Sequence, residues 1–525
     1  MVRRSPPSTE AAGTHKALSR LPDIRGETLL DDRSLTPYAG ASGPVRISPM
    51  ACARPVDEDD LSTLLSWAGH EGVSVIPRGA GTGMPGGNVG SGITLDLSAS
   101  FTDIGGPSPE DRTIKVGAGA VAAHVDRAAR SVGLFLPPLP SSAQRCTVGG
   151  MVANNAAGAR TYRYGAIRDW VRGLEVVMAD GSQYRLTREN GGPGAFPALY
   201  RSLRDEMGPR PPSWPHVRKN SSGYALDRYM LQGDPVELVV GSEGTLAVVT
   251  SVTLGLAAIP EATALALVAV HSLDDIPAVL DATATLDASA CEFFGRRFLE
   301  ITSMSSHPLV GQSLSDAAAA FLIEVDGSVD VVTSSLEALR VLGHELGSPA
   351  ITAVEQDERE ALWEIRHAAS PLIAACADHG LLSTQIIEDS VVPTESLGRY
   401  LTELDAILAK WDTDAVVFGH AGDANVHVNP LLDVNDAAWR ARARGILEDA
   451  ANLVAALGGT LSGEHGDGRI RAPLLERIWG GPLTRAFRTV KATLDPAGIL
   501  NPGVILPLPG QDPLDGLWPE HGGMS

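Results

Sequence analysis

The chain has 525 residues, and its 42 lysines and arginines stand against 63 aspartates and glutamates, for a formal net charge of −21. That length suits two to four domains, and the acidic balance argues against a nucleic-acid-binding protein, which needs a basic face. The four cysteines are too far apart for a disulfide framework or an iron–sulfur motif. No 18-residue apolar run and no signal segment is present, so we expect a cytoplasmic protein without a transmembrane segment and leave peripheral membrane association open.

The predicted elements begin at about residue 45, after a loose, proline-bearing arm over residues 1–44. Acidic residues at Asp57–Asp60 mark a helix start, because carboxylates favour the positive end of the helix dipole. Val121–Val132 predicts a second helix. Apolar runs in residues 45–258 predict strands at Arg46–Cys52, Val73–Ile76, Ile93–Leu97, Thr113–Val116, Leu174–Met178, Val236–Val240 and Leu246–Val252.

The composition changes near Ile259, and residues 259–525 are predicted to form a second α+β domain. Alanine- and leucine-rich stretches predict helices at Leu336–Leu346, Glu358–His379 and Ala437–Leu457, with strands at Ala264–Val270 and Phe321–Val325 between them. The apolar, turn-rich segment Asp495–Leu508 is expected to pack back on the first domain.

A glycine-rich loop follows the strand predicted at Val73–Ile76. Seven of the fifteen residues from Arg78 to Gly92 are glycine, and such a loop presents backbone N–H groups that can hold a diphosphate. Gly81–Gly86 matches GxGxxG, but the proline and glycines that follow exclude the helix of a Rossmann motif, and no P-loop Gly-Lys-Ser/Thr is present. A flexible surface loop is the alternative.

Two further segments favour a dinucleotide site over a surface loop. Thr147–Gly158 combines small residues with two amide side chains, which suits a flat heteroaromatic ring, and Val240–Leu246 is a tight glycine turn. Each could be a structural turn, but together the three segments predict a cradle for a long dinucleotide.

A second cluster of polar residues lies in the later half of the chain. The stretch from Val416 to Asn429 predicts a strand, a tight turn and a strand. Residues i and i+2 of a strand share a face, so His427 and Asn429 point the same way, and the hairpin could bring His420 opposite His427.

Glu464 and His465 lie in a segment with five glycines in eleven residues, Gly458–Gly468. Two imidazoles and one carboxylate, from His420, His427 and Glu464, suit a divalent metal with open positions. Histidines that hydrogen-bond each other in a polar turn are the alternative. His465 follows directly and is the candidate base, since an imidazole titrates near neutral pH.

Arg366 and Ser370 lie one helical turn apart and share a helix face. A guanidinium on a helix suits a bidentate clamp for a carboxylate. A surface ion pair is the alternative role of this arginine.

These motifs together resemble the vanillyl-alcohol oxidase superfamily of flavoproteins with PCMH-type FAD-binding domains. The PRGAGTG loop, the GGMVANNAAGAR segment and GSEGTL carry the resemblance, which extends over about Val45 to Val504. Within the superfamily, the chain resembles the branch of D-lactate, D-2-hydroxyglutarate and glycolate dehydrogenases. The resemblance implies a two-subdomain FAD-binding domain over residues 45–258 and a substrate domain over residues 259–525.

The resemblance also implies site residues. It places FAD against Arg78, Gly79, Ala80, Gly81, Thr82, Gly83, Pro140, Ser141, Gly149, Gly150, Asn154, Gly158, Glu243 and Thr245. The first loop has no histidine, so we expect FAD to be bound non-covalently. The resemblance further implies zinc, with manganese as the alternative, on His420, His427 and Glu464, and substrate contacts from Arg366, Ser370 and Asn429. His465 would take the hydroxyl proton of a D-2-hydroxy acid while the C2 hydride passes to flavin N5.

Two departures from relatives bear on the substrate and the acceptor. Ile387 stands where the 2-hydroxyglutarate dehydrogenases place a lysine for the distal carboxylate, so specificity for a second carboxylate is open. The long fusion relatives continue into cysteine-rich cluster domains, whereas this sequence ends at Ser525. We therefore expect electrons to leave through oxygen or a separate quinone, cytochrome or electron-transfer protein.

Three other functions remain open at this point. The same fold could oxidise a non-acid alcohol without a metal, or serve as a non-catalytic flavin subunit of an electron-transfer complex. The histidine and glutamate set could instead be the zinc site of a hydrolase. The oligomeric state does not follow from the sequence.

Overall fold

The computed structural model describes residues 18–188, 191–208, 214–304, 314, 316–375 and 380–517. Its strands are β1 Glu27–Leu29, β2 Ala51–Arg54, β3 Val75–Arg78, β4 Ile93–Asp96, β5 Thr113–Gly117, β6 Leu134–Phe135, β7 Val171–Met178, β8 Gln183–Thr187, β9 Ala247–Gly255, β10 Ala257–Ala258, β11 Ala262–Val270, β12 Ala290–Gly295, β13 Ala319–Gly327, β14 Ile351–Ala353, β15 Leu381–Ser383, β16 Ile387–Val391, β17 Asp414–His420 and β18 Asn425–Asp433.

The helices alternate with these strands over most of the described chain. They are α1 Asp32–Leu35, α2 Glu58–Glu71, α3 Ala122–Arg130, α4 Val148–Asn154, α5 Thr161–Tyr164, α6 Ile167–Trp170, α7 Phe196–Met207, α8 Leu226–Gln232, α9 Pro235–Val239, α10 Ile276–Thr285, α11 Arg296–Met304, α12 Val329–Glu345, α13 Gln356–His367, α14 Ala369–Ala375, α15 Leu397–Lys410, α16 Trp439–Ala456, α17 Gly468–Arg471 and α18 Leu475–Leu494. The predicted α+β fold is thereby confirmed. Of the helix predicted at Glu358–His379, residues 376–379 lie outside the described residues.

A four-stranded sheet in the order β1-β2-β4-β3 carries the first glycine loop at the end of β3. Helix α2 packs on this sheet through Leu61, Leu64 and Leu65. The helix begins where the Asp57 carboxylate accepts hydrogen bonds from two backbone N–H groups, and it ends at Gly72, whose φ is +67°. The sheet and its helix thus hold the loop at a fixed edge.

Residues of the predicted arm take part in this first sheet. Strand β1 pairs antiparallel with β2, and the Tyr38 hydroxyl donates to Asp96 over 2.7 Å. The described part of the arm is therefore packed rather than loose, because its apolar and aromatic side chains find partners on the sheet. The domain boundaries drawn from the sequence stay a prediction.

An antiparallel sheet in the order β5-β9-β7-β8 forms a second unit with its own apolar core. The strand predicted at Val236–Val240 is wrong, because this segment is helix α9. Asp234 caps the helix by accepting from the N–H of Val236, and Pro235 occupies its first turn. The segment is buried on all sides, so its apolar run does not distinguish a strand from a short buried helix.

The later half of the chain is built on an eight-stranded antiparallel sheet in the order β14-β11-β13-β12-β17-β18-β15, with β16 also paired to β18. Apolar clusters cover both of its faces. The central strands β12, β17 and β18 bring buried polar side chains next to one another, and these side chains belong to the candidate functional site.

The C-terminal segment returns to the first half of the chain, as predicted. Ile499 and Leu500 join the core of the first sheet. The Asn501 amide donates to the carbonyl of Gly87 over 2.7 Å and to that of Glu243 over 2.8 Å. The end of the chain therefore ties two glycine-rich segments together. Within the described residues, no helix has the length and apolar character to cross a bilayer.

Candidate functional site

A cavity of about 1190 Å³ runs between the two halves of the chain. One end is lined by the glycine-rich segments, and the other by side chains from the eight-stranded sheet and its helices. The predicted residues on its wall are Arg78, Gly79, Ala80, Gly81, Thr82, Gly83, Pro140, Ser141, Gly149, Gly150, Asn154, Gly158, Glu243, Arg366, His420, Glu464 and His465. Most residues that the sequence singles out therefore face one continuous space.

The glycine loop is organised by Arg78. Its guanidinium donates to the carbonyls of Asn88 over 3.0 Å and Gly40 over 2.8 Å. A side chain on Gly79 would meet the Thr147 hydroxyl at 2.2 Å, so glycine is required where the two segments approach. The loop is packed against its neighbours and is not a free surface loop.

Two of the predicted FAD contacts have other partners in the structure. The Glu243 carboxylate, which reaches the cavity wall, accepts hydrogen bonds from the N–H groups of Asp467 over 2.7 Å and Gly468 over 2.9 Å. The Thr245 hydroxyl donates to Ser242 O over 2.7 Å and is buried outside the cavity lining. Glu243 therefore lines the cavity while it holds the Asp467 loop, whereas Thr245 lies behind the lining.

The hairpin of β17 and β18 carries the two histidines. The predicted pairing of His420 opposite His427 is wrong, because His420 lies opposite Asn425 and His427 opposite Phe418. His420 and Phe418 are two residues apart and share a face, so the two imidazoles are diagonal neighbours. Their Nε2 atoms lie 3.3 Å apart.

Glu464 completes this group from the glycine-rich loop before α17. Its Oε1 lies 3.2 Å from His420 Nε2 and 3.4 Å from His427 Nε2. Asp389 fixes the loop by accepting the N–H groups of Glu464 over 3.0 Å and His465 over 2.8 Å. The buried aspartate therefore orients both residues of the loop.

The outer nitrogens of the two histidines are held by protein groups. His427 Nδ1 donates to the carbonyl of Glu388 over 2.8 Å, and His420 Nδ1 lies 2.6 Å from Glu292 Oε1. With their protons on Nδ1, both rings turn Nε2 lone pairs toward the Glu464 carboxylate. Two imidazole nitrogens and one carboxylate oxygen that converge in a buried site are a donor set that could hold a divalent metal.

His465 lies beside this group with a carboxylate partner of its own. Its Nδ1 is 2.5 Å from Glu388 Oε2, and its Nε2 is 3.5 Å from Glu464 Oε1. Burial disfavours the charged imidazole, but Glu388, Asp389 and Glu464 outweigh it and raise the pKa of His465 to about 9. A divalent cation at Glu464 would oppose this charge and lower the pKa again.

Arg366 has a buried partner and is not part of a surface ion pair. Its Nε donates to Glu292 Oε2 over 2.6 Å, and its guanidinium lies over the Phe418 ring at 4.7 Å. Glu292 thus joins Arg366 to His420. Glu292 is buried, which raises its pKa, but His420 and Arg366 lower it to about 2.

The other two predicted substrate contacts, Asn429 and Ser370, are not among the described residues that line the cavity. Asn429 lies two residues beyond His427 on β18, and its Oδ1 accepts from Ser383 over 3.0 Å. The side chain of Ser370 lies outside the described residues.

Several residues of the site escaped the sequence analysis. Glu292 and Lys219 come from segments without any motif, and Lys219 Nζ lies 2.8 Å from Glu464 Oε2. Glu388 and Asp389 directly follow Ile387, the position that the sequence analysis compared with relatives. Two adjacent carboxylates shortly before Pro393 were the feature of the sequence that could have revealed them. Arg471 pairs with Glu388 and balances its charge.

Two protein-family models match separate ranges of this chain. The family described as FAD binding domain matches residues 49–187, and the family described as FAD linked oxidases, C-terminal domain matches residues 259–505. The chain is 32% identical to the glycolate oxidase subunit GlcD of Bacillus subtilis, over 87% of this chain and 88% of that protein.

Two other relatives show similar identity. The D-lactate dehydrogenase of Archaeoglobus fulgidus is 30% identical over 86% of this chain and 90% of its own length. The D-2-hydroxyglutarate dehydrogenase of Xanthomonas citri pv. viticola is 30% identical over 87% of this chain and 89% of its own length.

Solved structures share the fold at lower identity. A p-cresol methylhydroxylase with substrate bound superimposes with a TM-score of 0.69 at 16% identity, over 95% of this chain and 98% of that one. The 4-ethylphenol oxidase from Gulosibacter chungangensis gives a TM-score of 0.68 at 16% identity and the same coverage. These likenesses confirm the predicted PCMH-type architecture.

Proposed function

This chain belongs to the FAD-linked oxidase family, and on that premise we propose that it oxidises a D-2-hydroxy acid to the 2-oxo acid. The family makes it an FAD-dependent oxidoreductase acting on a CH–OH donor. The observation that carries the proposal is the single cavity that joins the glycine-rich segments to Arg366, His420, Glu464 and His465. The proposed carboxylate-binding arginine, two of the proposed metal ligands and the proposed base thus line the same cavity.

The proposed roles follow from the chemistry of each group. Arg366 binds the substrate carboxylate, and His420, His427 and Glu464 hold zinc or manganese. His465 accepts the proton of the substrate hydroxyl, held toward it by Glu388. When bound, the metal would polarise the hydroxyl and FAD would supply the acceptor for the C2 hydride. Asn429 and Ser370 are proposed to orient the substrate.

The proposal includes how electrons enter and leave. FAD is held without a covalent bond by the glycine-rich segments, and a separate acceptor reoxidises it: oxygen, a quinone, a cytochrome or an electron-transfer protein. The names of the three relatives, a glycolate oxidase subunit, a D-lactate dehydrogenase and a D-2-hydroxyglutarate dehydrogenase, support a small 2-hydroxy acid as the donor.

Anaerobic mixing of the holoenzyme with 2-hydroxy acids tests the proposal. D-lactate, D-2-hydroxyglutarate, glycolate or a longer D-acid should bleach the flavin absorbance near 450 nm within seconds, and L-lactate should not. His465→Ala should keep its yellow FAD and lose about 10²- to 10⁴-fold in the reduction rate, the usual contribution of a general base.

The exposed His124 on α3 offers the matched control. His124→Ala should reduce its flavin at the wild-type rate. Wild-type reduction by His465→Ala would remove the base assignment, and a flavin that no 2-hydroxy acid bleaches would remove the proposed reaction.

A further inference from the structure

A buried lysine from the first half of the chain lies beside the proposed metal ligands. The Lys219 side chain is 1% exposed, and its Nζ lies 2.8 Å from Glu464 Oε2. The other oxygen of the same carboxylate, Oε1, lies within 3.5 Å of the Nε2 atoms of His420, His427 and His465. The two oxygens of Glu464 therefore have different partners, an ammonium group on one side and imidazoles on the other.

The position of Lys219 is fixed by the backbone around it. Ser221 donates through its N–H to Ser462 O and through its hydroxyl to Gly463 O, each over 2.9 Å. The N–H of Gly223 donates to Asp467 Oδ2 over 2.7 Å. These bonds hold the lysine segment along the loop that carries Glu464, and the Lys219 side chain is buried beside that loop.

We infer that Lys219 is a positioning residue that limits Glu464 to one metal-bound oxygen and so keeps coordination positions open for the substrate. The inference rests on the proposed metal site. Neither the family comparisons nor the sequence motifs assign a role to this lysine.

The physical argument concerns the number of ligand atoms. A carboxylate can bind a divalent cation through one or both oxygens, and catalytic zinc sites keep positions open for substrate. An ammonium group donates hydrogen bonds and accepts none. While Lys219 holds Oε2, the two histidines and Oε1 supply three ligand atoms, and the carboxylate and hydroxyl of a 2-hydroxy acid can take the remaining positions.

The test compares zinc-loaded holoenzymes of the wild type, Lys219→Met and Lys219→Arg by zinc X-ray absorption without substrate. We expect one Glu464 oxygen on zinc in the wild type and in Lys219→Arg, because both keep a cation at Oε2. Lys219→Met should retain zinc and gain a second carboxylate oxygen. Its KM for the hydroxy acid should rise at least tenfold, and oxalate, a dianionic chelating analogue, should bind at least tenfold more weakly.

Lys491→Met is the matched control, because Lys491 is a second mostly buried lysine, paired with Asp495 over 2.6 Å. Its zinc spectrum should equal that of the wild type. Lys219→Leu serves as the neutral variant if Lys219→Met does not fold, and the same gain of an oxygen is expected, because leucine also lacks a hydrogen-bond donor.

Three outcomes decide the matter. An unchanged zinc spectrum and unchanged oxalate binding in the neutral variant would overturn the role of Lys219. Loss of zinc from that variant would also overturn it, since the lysine would then build the site rather than limit its ligands. A wild-type protein that binds no zinc or manganese would instead remove the metal from the proposed function, so the two failures are distinguishable.

Discussion

At the scale of single residues, Glu292 connects the two halves of the proposed chemistry. One of its oxygens faces His420 Nδ1 and the other accepts from Arg366 Nε, each at 2.6 Å. Its side chain has no exposed surface. The same carboxylate therefore orients a metal ligand and the substrate clamp, a link that no sequence motif indicates.

Replacing Glu292 should be costly for stability. Glu292→Ala leaves the Arg366 guanidinium without its buried partner, and removing one member of a buried ion pair typically costs about 3–5 kcal/mol. Glu300→Ala, which removes an exposed partner of Arg296 and Arg297, should cost at most about 1 kcal/mol. Urea unfolding of both variants checks this, and equal costs would contradict the buried role of Glu292.

At the scale of elements, the loop over residues 462–468 is positioned by contacts from both halves of the chain. Asp389 holds its N–H groups on one side and Glu243 on the other. The Asn154 amide donates to His465 O over 2.7 Å. A loop so rich in glycine depends on these contacts for its shape.

Two glycines in left-handed conformation, Gly466 within this loop and Gly458 before it, distinguish the effect of backbone strain from that of a steric clash. Gly466→Ala would place a methyl group 2.6 Å from the Glu243 carboxyl carbon, whereas Gly458→Ala has no neighbour within 4 Å. Both variants incur a backbone cost of about 1–2 kcal/mol. Only Gly466→Ala should also displace His465, so we expect at least a tenfold slower anaerobic flavin reduction. Equal reduction rates in the two variants would contradict this account.

At the scale of the whole molecule, both halves of the chain line the same cavity, and direct contacts join them. Arg160 pairs with Glu324 over 2.6 Å, and the Tyr164 hydroxyl donates to Asp326 over 2.8 Å. Asn501 joins the glycine loop to the Glu243 turn from the C-terminal segment. The glycine loop proposed to hold FAD is therefore tied to a residue 414 positions further along the chain.

Asn501→Gly tests whether FAD binding depends on this tie. Asn501 has a φ of +44°, so glycine preserves the backbone and removes three side-chain hydrogen bonds: the two donated to Gly87 O and Glu243 O, and one accepted from Arg469 over 3.3 Å. At about 1 kcal/mol for each of the two bonds to the carbonyls, FAD should bind about ten- to thirtyfold more weakly. Asp412→Gly, at an exposed position with a φ of +47°, should bind FAD like the wild type. Fluorescence titration of the FAD-free variants measures both, and equal affinities would argue against the tie.

Prediction from the sequence succeeded where the signal is local. The strand before the glycine loop at Arg78–Gly92 and the strand, turn and strand of Val416–Asn429 occur as predicted, whereas the register that places His420 opposite Asn425 was not predicted. The prediction failed at Val236–Val240. This apolar run is buried on all sides, so its residues do not alternate between apolar and polar with the period of either a strand or a helix.

From the sequence alone follow the α+β fold, the family and the segments that bear the proposed FAD, metal and base residues. The segments can be recognised in the sequence because their glycine, histidine and carboxylate residues have the spacing of turns and strands, which local backbone geometry determines. Only the folded chain reveals that Lys219 faces one oxygen of Glu464, that Glu292 joins Arg366 to His420, and that Glu243 holds the base-bearing loop. Such contacts join residues 74 to 245 positions apart, and their geometry is set by the packing of strands and loops from both halves, which leaves no periodic signal in the sequence.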